Sequence, residues 1–187
     1  MPVLADTLAE TAVEQRSLAA LRDAAGEADG AMERHCVRCF LLCRDLAEIK
    51  NAAIDEEVML CAAFLHDIGL YPSVSEGGVY TDEGAELARE IGLEAGWDAR
   101  RATLCADACA RHHSIRSQWE LGAEVELLRL ADRIEVSGGV TRAGLSRDQI
   151  REVNQSAPRD GFYRGLVHVV WPVLRHRPLT LPRIFKP

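Results

Sequence analysis

Residues 55–69 read DEEVMLCAAFLHDIG, and this stretch sets the expected fold. Asp55 is a residue type that caps helix N-termini, and the two glutamates after it suit the positive end of a helix dipole. Residues 58–65 are uniformly apolar, and a helix that is apolar all round is buried in a core. The stretch therefore predicts an almost wholly buried helix that ends at His66 and Asp67.

The His66-Asp67 doublet is the first candidate for chemistry. A histidine at a helix C-terminus beside a solvated carboxylate is an ordinary surface feature. Here, however, the doublet follows a buried apolar run, where polar groups are costly unless something satisfies them. Neighbouring side chains on a helix diverge by about 100°, so both can reach one ion only near the helix end. Ile68 and Gly69 supply that end, and a metal ion would satisfy both side chains.

A second histidine lies on the helix expected before this one. Positions that recur every three or four residues mark one face of a helix. From residue 32 to 49 these positions are Met32, His35, Cys39, Leu42, Cys43, Leu46 and Ile49. Because His35 lies on this stripe, its ring is expected to point into the core. A leading helix over residues 4–25 is expected to pack on the outside, with Gly26 as its stop.

Further helices are expected after the doublet. Thr81 begins a short helix that Gly92 should stop, and Asp98 caps a longer one that runs to about His113. In that longer helix His112 shares a face with two cysteines. Residues 124–136 form the next helix.

The C-terminal part of the chain completes a helical pattern over residues 146–176. Ser146 and Gln149 form a capping box, and Pro172 should interrupt or kink the last helix. No segment shows the apolar alternation of a strand. The sequence therefore predicts an all-α protein.

The length and charge of the chain indicate how many domains it has and which kinds of partner it binds. A chain of 187 residues suits one domain, and its net charge of −7 gives no basic face for a nucleic-acid polymer. No apolar run approaches the roughly 20 residues that cross a bilayer. Cys36, Cys39 and Cys43 are spaced like zinc ligands, but no second cluster matches them, so buried reduced thiols are expected. We expect a cytoplasmic protein that acts on a small molecule, with no membrane partner; a homo-oligomer is left open.

Three segments together resemble the HD superfamily. Its pattern is a helix-borne histidine, a later His-Asp doublet and a distant aspartate that usually follows alanine. The matches are His35 in ERH, His66-Asp67 in FLHDIG and Asp132 in LADR. They stand in the superfamily's order, and the resemblance covers roughly residues 31–136.

The resemblance implies a fold and a metal site. The fold is a single HD-type helical bundle over residues 1–187, with a core at about 31–136 on which the helices of residues 4–25 and 146–176 pack. His35, His66, Asp67 and Asp132 would hold one divalent transition metal ion between core helices, and a second ion is left open. This mixed nitrogen and oxygen set suits manganese, iron, cobalt, nickel or zinc.

Most members of the superfamily are phosphohydrolases, so the leading expectation is hydrolysis of a nucleotide or other small phosphoester by a metal-activated water. Asp67 would orient the water. His112 or His113 would stabilise charge or protonate the leaving group. Arg38 lies one turn after His35 and could hold an anionic substrate group. Tyr80 is the second candidate substrate contact, because it follows a glycine-containing loop, residues 73–79, that is expected to border the pocket.

Alternative functions remain open. Leu70 stands where many phosphohydrolase relatives carry a glutamate or lysine. Residues 33–38, 66–70 and 80–85 are also similar to the cyanamide hydratase branch, which would add water to a small nitrile. A di-iron oxygenase ranks last, because the extra histidine that such relatives place after the doublet is absent. The non-enzymatic alternative is a regulatory domain that binds a metal and a nucleotide without turnover.

Overall fold

The computed structural model describes residues 4–26 and 30–187, and the regular elements of these two ranges are all helical. The α-helices there are α1 (Ala5–Leu8), α2 (Ala12–Ala25), α3 (Gly30–Lys50), α4 (Glu56–Leu65), α5 (Tyr80–Glu94), α6 (Ala99–Arg111), α7 (Ala123–Val136), α8 (Arg147–Ser156), α9 (Phe162–His176) and α10 (Leu181–Ile184). Two 3₁₀ turns, Ile68–Leu70 and Pro178–Thr180, precede α5 and α10. The all-α prediction is confirmed.

Helix α4 lies at the centre of the bundle. It contacts α2, α3, α5, α6 and α7, and every residue from 58 to 65 is buried. The Asp55 carboxylate accepts a hydrogen bond from the Val58 amide at 3.2 Å and so caps the first turn. A helix that is apolar on all faces is stable only when other helices pack against every face. The helices that pack around α4 also enclose the His66-Asp67 doublet at its C-terminal end.

The N-terminal segment differs from the single helix predicted over residues 4–25. It forms two helices, because Thr11 caps α2 in a reciprocal capping box with Glu14. The Glu14 carboxylate accepts from the backbone amides of Glu10 and Thr11 at 2.9 and 2.8 Å. Those bonds satisfy the two amides that immediately precede α2, where the chain is non-helical and separates α2 from α1.

Gly92 does not stop α5, which continues to Glu94. The left-handed residue that follows this helix is Gly96, with φ of 88°. Trp97 then folds back, so that a Cβ added at Gly92 would lie 2.5 Å from Trp97 Cε3. Gly92 is therefore explained by contact with an indole ring and not by helix termination.

The C-terminal helices pack against α3 and the doublet turn. The predicted capping box of Ser146 and Gln149 is present at the start of α8. Pro172 lies within α9, which the structure describes as one helix from Phe162 to His176. Helix α9 contacts α3 and the turn Ile68–Leu70. Within the described ranges, no helix combines the length and the apolar character needed to span a membrane.

Candidate metal centre

The doublet is held where α4 ends and the chain turns toward α5. His66 is the last residue in helical conformation, and its Nδ1 lies 2.9 Å from the Ala63 carbonyl oxygen. Asp67 then begins the 3₁₀ turn. A Cβ added at Gly69 would lie only 2.0 Å from the Tyr80 carbonyl oxygen. The turn therefore packs backbone against backbone on the start of α5, which fixes the positions of both doublet side chains.

The structure brings together the four residues predicted to ligate a metal. His35 Nε2 lies 3.1 Å from His66 Nε2, 3.7 Å from Asp67 Oδ2 and 3.6 Å from Asp132 Oδ1. His66 Nε2 is also 3.5 Å from Asp67 Oδ2. All four residues are buried. Side chains from α3, the end of α4 and α7 thus converge on one point in the core.

The two facing imidazoles need a positive charge between them. His35 Nδ1 lies 3.4 Å from Glu135 Oε1, and His66 Nδ1 lies 2.9 Å from a carbonyl oxygen. Because each Nδ1 faces an acceptor, we assign the ring proton to it, which leaves both Nε2 lone pairs directed at each other. Only a proton or a metal ion relieves that repulsion. Imidazoles that bind metal are oriented by such contacts at the other ring nitrogen, so the arrangement fits a metal ion.

His112 supplies a third nitrogen aimed at the centre. Its Nδ1 lies 2.7 Å from the Cys109 carbonyl oxygen, so Nε2 again carries the lone pair. That Nε2 is buried, lies 3.5 Å from Asp67 Oδ1 and makes no hydrogen bond with any described residue. An unsatisfied buried nitrogen is costly, and a cation beside Asp67 would satisfy it.

His113 also faces the centre, so both histidines of this pair contribute to it. Its Nδ1 lies 3.4 Å from Asp132 Oδ2, and its Nε2 lies 2.6 Å from the Tyr80 hydroxyl. Burial holds the pKa of His113 well below its usual value, so the ring is neutral. Unlike His112, the His113 side chain is 26% exposed.

The donor atoms fall into two adjacent groups. Those of His35, Cys39, His66 and Asp132 lie within 4.8 Å of one another, as do those of Asp67, His112 and His113. Asp67 joins the groups, because Oδ2 faces His35 and His66 while Oδ1 faces His112. Among the described residues, the centre can therefore hold one cation near the first group and a second near the other.

The two carboxylates differ in their titration. Burial opposes ionisation of Asp67, but the surrounding imidazoles more than offset it and hold its pKa well below the usual range. Burial raises the pKa of Asp132 to about 6; His112 and His35 oppose this effect, and the nearby carboxylates of Asp67 and Glu135 add to it. Burial also lowers the pKa of His66 to about 3. Asp67 and neutral His66 are thus ready to bind a cation at neutral pH, whereas Asp132 must lose a proton first below pH 6.

The position of Arg38 differs from the role predicted from the sequence. It was expected to hold an anionic substrate group, but it is completely buried and its donors are used inside the protein. Nε and Nη2 donate to Glu135 Oε1 at 2.8 and 2.6 Å, and Nη1 donates to the carbonyl oxygens of Ala157 and Pro158. Helical spacing correctly placed Arg38 on the same face of α3 as His35, but its partner is Glu135 and not a substrate.

Glu135, Cys39 and Phe162 are neighbours of the centre that were not assigned to it from the sequence. Glu135 accepts from Arg38 and Arg159 and orients His35. Burial raises the pKa of the Cys39 thiol to about 11, so it stays protonated beside His35. The Phe162 ring stacks on the same imidazole with centroids 4.9 Å apart. Glu135 and Cys39 lie one helical turn after predicted ligands, a spacing that could have revealed them.

A cavity of about 500 Å³ opens in front of the centre. Asp67, Tyr80, His113 and Asp132 form its floor. Larger surface grooves of about 830 and 710 Å³ contain none of these residues. The loop of residues 73–79 was expected to border the pocket, but only its neighbours Leu70 and Tyr80 line the cavity. Glu83 instead ties this loop to α5 by accepting from the Gly78 amide at 2.6 Å.

Comparison with known proteins agrees with this geometry. No curated protein matches the chain. The family model of the HD domain matches residues 32–137, more than half of the 187 residues. That range contains all four predicted ligands and both histidines of the pair His112-His113. The chain therefore belongs to the HD domain family.

Proposed function

We propose that the protein is a metal-dependent hydrolase that cleaves a small phosphoester with water. The observation that carries the proposal is the convergence of three imidazole Nε2 atoms and two carboxylates on one buried point, where the Nε2 of His112 has no hydrogen-bond partner among the described residues. Membership of the HD domain family supports the same class of chemistry, since such domains are generally metal-dependent hydrolases.

His35, His66, Asp67 and Asp132 would hold the catalytic cation. When bound, a divalent ion there lowers the pKa of a water molecule and polarises the bond under attack. The second carboxylate oxygen of Asp67 and the Nε2 of His112 would hold either a second cation or the attacking water. Imidazole and carboxylate donors suit manganese, iron, cobalt, nickel or zinc.

Tyr80, His113 and Asp132 form a chain that can hold and move a proton at the cavity floor. In phosphoester hydrolysis the water oxygen bonds to phosphorus while the bond from phosphorus to the ester oxygen breaks. The water loses a proton and the departing alcohol gains one. Neutral His113 can donate from Nδ1 to Asp132 and accept at Nε2 from the Tyr80 hydroxyl, so it links the carboxylate to the cavity.

A nitrile hydratase is the second candidate function. Among the described residues that line the cavity there is no lysine or arginine to bind a phosphate. A small neutral nitrile would need no such partner. The similarity of three segments to the cyanamide hydratase branch supports the same alternative.

Metal-dependent turnover separates these functions. We expect purified protein to hydrolyse members of a phosphomonoester and nucleotide panel when supplied with manganese or cobalt, and to lose that activity on chelation and in Asp132→Ala. Asp148→Ala, a change of the same kind on the exposed face of α8, should keep it. A silent phosphoester panel with conversion of a small nitrile to its amide would establish the hydratase. Silence in both assays would favour a binding domain without turnover.

A further inference from the structure

We propose that the substrate carries an apolar body of several carbon atoms, which lies against α9 and α10 while its single polar head reaches the metal centre. This inference rests on the proposed function, because it identifies the class of phosphoester that the same site accepts. It concerns the apolar side chains that line the same cavity as Asp67 and Asp132.

The lining of the cavity combines four polar residues with a larger number of apolar ones. The polar lining residues are Asp67, Tyr80, His113 and Asp132, which all belong to the centre. Helix α9 and the segment after it supply a wall of aliphatic and aromatic side chains. These include Leu166, Val170, Trp171, Leu174, Leu181 and Ile184. Ligand sites of this kind bury an apolar body and orient it with a few polar groups at one end.

The apolar character of the wall disfavours a nucleotide as the substrate. A ribose, a base or a second phosphate would place hydroxyls, amides or charge against side chains that cannot hydrogen-bond. Two basic residues in the C-terminal segment are already paired with acids of α5. Arg177 lies 4.0 Å from Glu83, and Lys186 pairs with Asp82. Among the described residues that line the cavity, only those of the metal centre can bind a charged group. The cavity therefore accommodates a ligand with a single anionic head.

The wall is exposed to solvent where a ligand would cover it. Trp171 and Leu174 are 57% and 42% exposed. Both line the cavity that contains the centre, so a molecule whose head reaches Asp67 and Asp132 has its remaining atoms beside this wall. Continuity with the metal centre favours a substrate over a second copy of the chain as the occupant.

Alkyl chain length tests the proposal directly. The probes are n-alkylphosphonates from methyl to butyl, titrated into metal-loaded protein, and the neutral n-alkyl alcohols from butanol to octanol. Each buried methylene contributes enough to tighten binding roughly fourfold, so three added methylenes should tighten it by up to about 60-fold. Tryptophan emission is the readout, and loss of the signal in Trp171→Phe assigns it to the wall.

Two substitutions of the same kind locate the binding site. Val170→Asn places an amide on the wall and should reduce the gain per methylene in both series. Val140→Asn, at a position that is 84% exposed and outside the cavity, should leave it unchanged. Neither substitution touches a proposed metal ligand, and thermal unfolding confirms that each variant is folded.

The two probe series separate this inference from the proposed function. Phosphonates that bind only with metal, but equally well at every chain length, would overturn the apolar wall and leave the hydrolase standing. If the alcohols bind more tightly as the chain lengthens but the phosphonates bind no better than the alcohols, the apolar wall is supported. The same result would count against a phosphoester substrate. Absence of any length dependence, together with a dimer in solution that Val170→Asn disrupts, would show that a second copy covers the wall.

Discussion

Glu135 should control both the stability of the metal-free protein and its affinity for metal. Its carboxylate accepts two hydrogen bonds from the buried Arg38, at 2.8 and 2.6 Å, and another from Arg159. It also faces His35 Nδ1 at 3.4 Å. In Glu135→Gln the side chain keeps its shape but the charge that balances a completely buried guanidinium is lost.

The magnitude follows from these contacts. Removing one partner of a buried ion pair typically costs about 3–5 kcal/mol. Arg38 keeps its bonds to two backbone carbonyls, so we expect the lower end, about 3 kcal/mol of the free energy of unfolding. Loss of a group that orients a ligating imidazole weakens metal binding by about 10- to 100-fold, or about 1.4–2.7 kcal/mol.

Urea denaturation of chelated protein measures the first effect, and competition with a chromogenic chelator measures the second. Glu152→Gln, an exposed change of the same kind on α8, should match the parent in both assays. Parent-like metal affinity in Glu135→Gln would refute the idea that this carboxylate orients His35. A parent-like free energy of unfolding would refute its role as the partner of Arg38.

Three other perturbations test the geometry around the centre. Gly69→Ala should lower the free energy of unfolding by about 3 kcal/mol or more in urea denaturation, because its Cβ would lie 2.0 Å from a backbone oxygen of Tyr80. Gly30→Ala is the control and should cost far less, because its Cβ would meet only the end of an arginine side chain. Tyr80→Phe should lower turnover by on the order of 10-fold in steady-state assays while the catalytic metal stays bound, since the hydroxyl contacts His113 and none of the four residues proposed to hold that metal. Loss of that metal would count against this assignment. Metal affinity should rise as the pH increases through about 6 and keep rising above it, because Asp132 is neutral below its raised pKa of about 6 and because, despite burial, acidic neighbours raise the pKa of His35 well above its usual value, so that a metal must displace its proton. A flat calorimetric profile from pH 5 to 8 would contradict that.

Features set by neighbouring residues along the chain were predictable. The caps at Asp55 and Ser146 follow from a side chain that bonds the amide three residues later. The inward direction of His35 follows from helical periodicity, and the structure buries it completely. Each of these depends on a contact within one or two turns, which sequence spacing describes well.

Features set by tertiary packing were not predictable in the same way. Gly92 looks like a helix stop, but the ring of Trp97 lies against it and the helix continues. Arg38 has the spacing of a substrate contact, yet Glu135, 97 residues later, occupies it. The apolar residues of α9 indicate a helix, whereas their place above the metal ligands depends on how that helix packs.

The central claim is that the doublet holds a metal ion, and elemental analysis of purified protein tests it most directly. We expect near-stoichiometric transition metal in the parent and in His168→Ala, whose imidazole lies on the exposed face of α9, and loss of metal in His66→Ala and Asp67→Ala. Circular dichroism would show that the variants remain helical. Metal content in folded His66→Ala and Asp67→Ala equal to that of the parent would contradict the proposed centre.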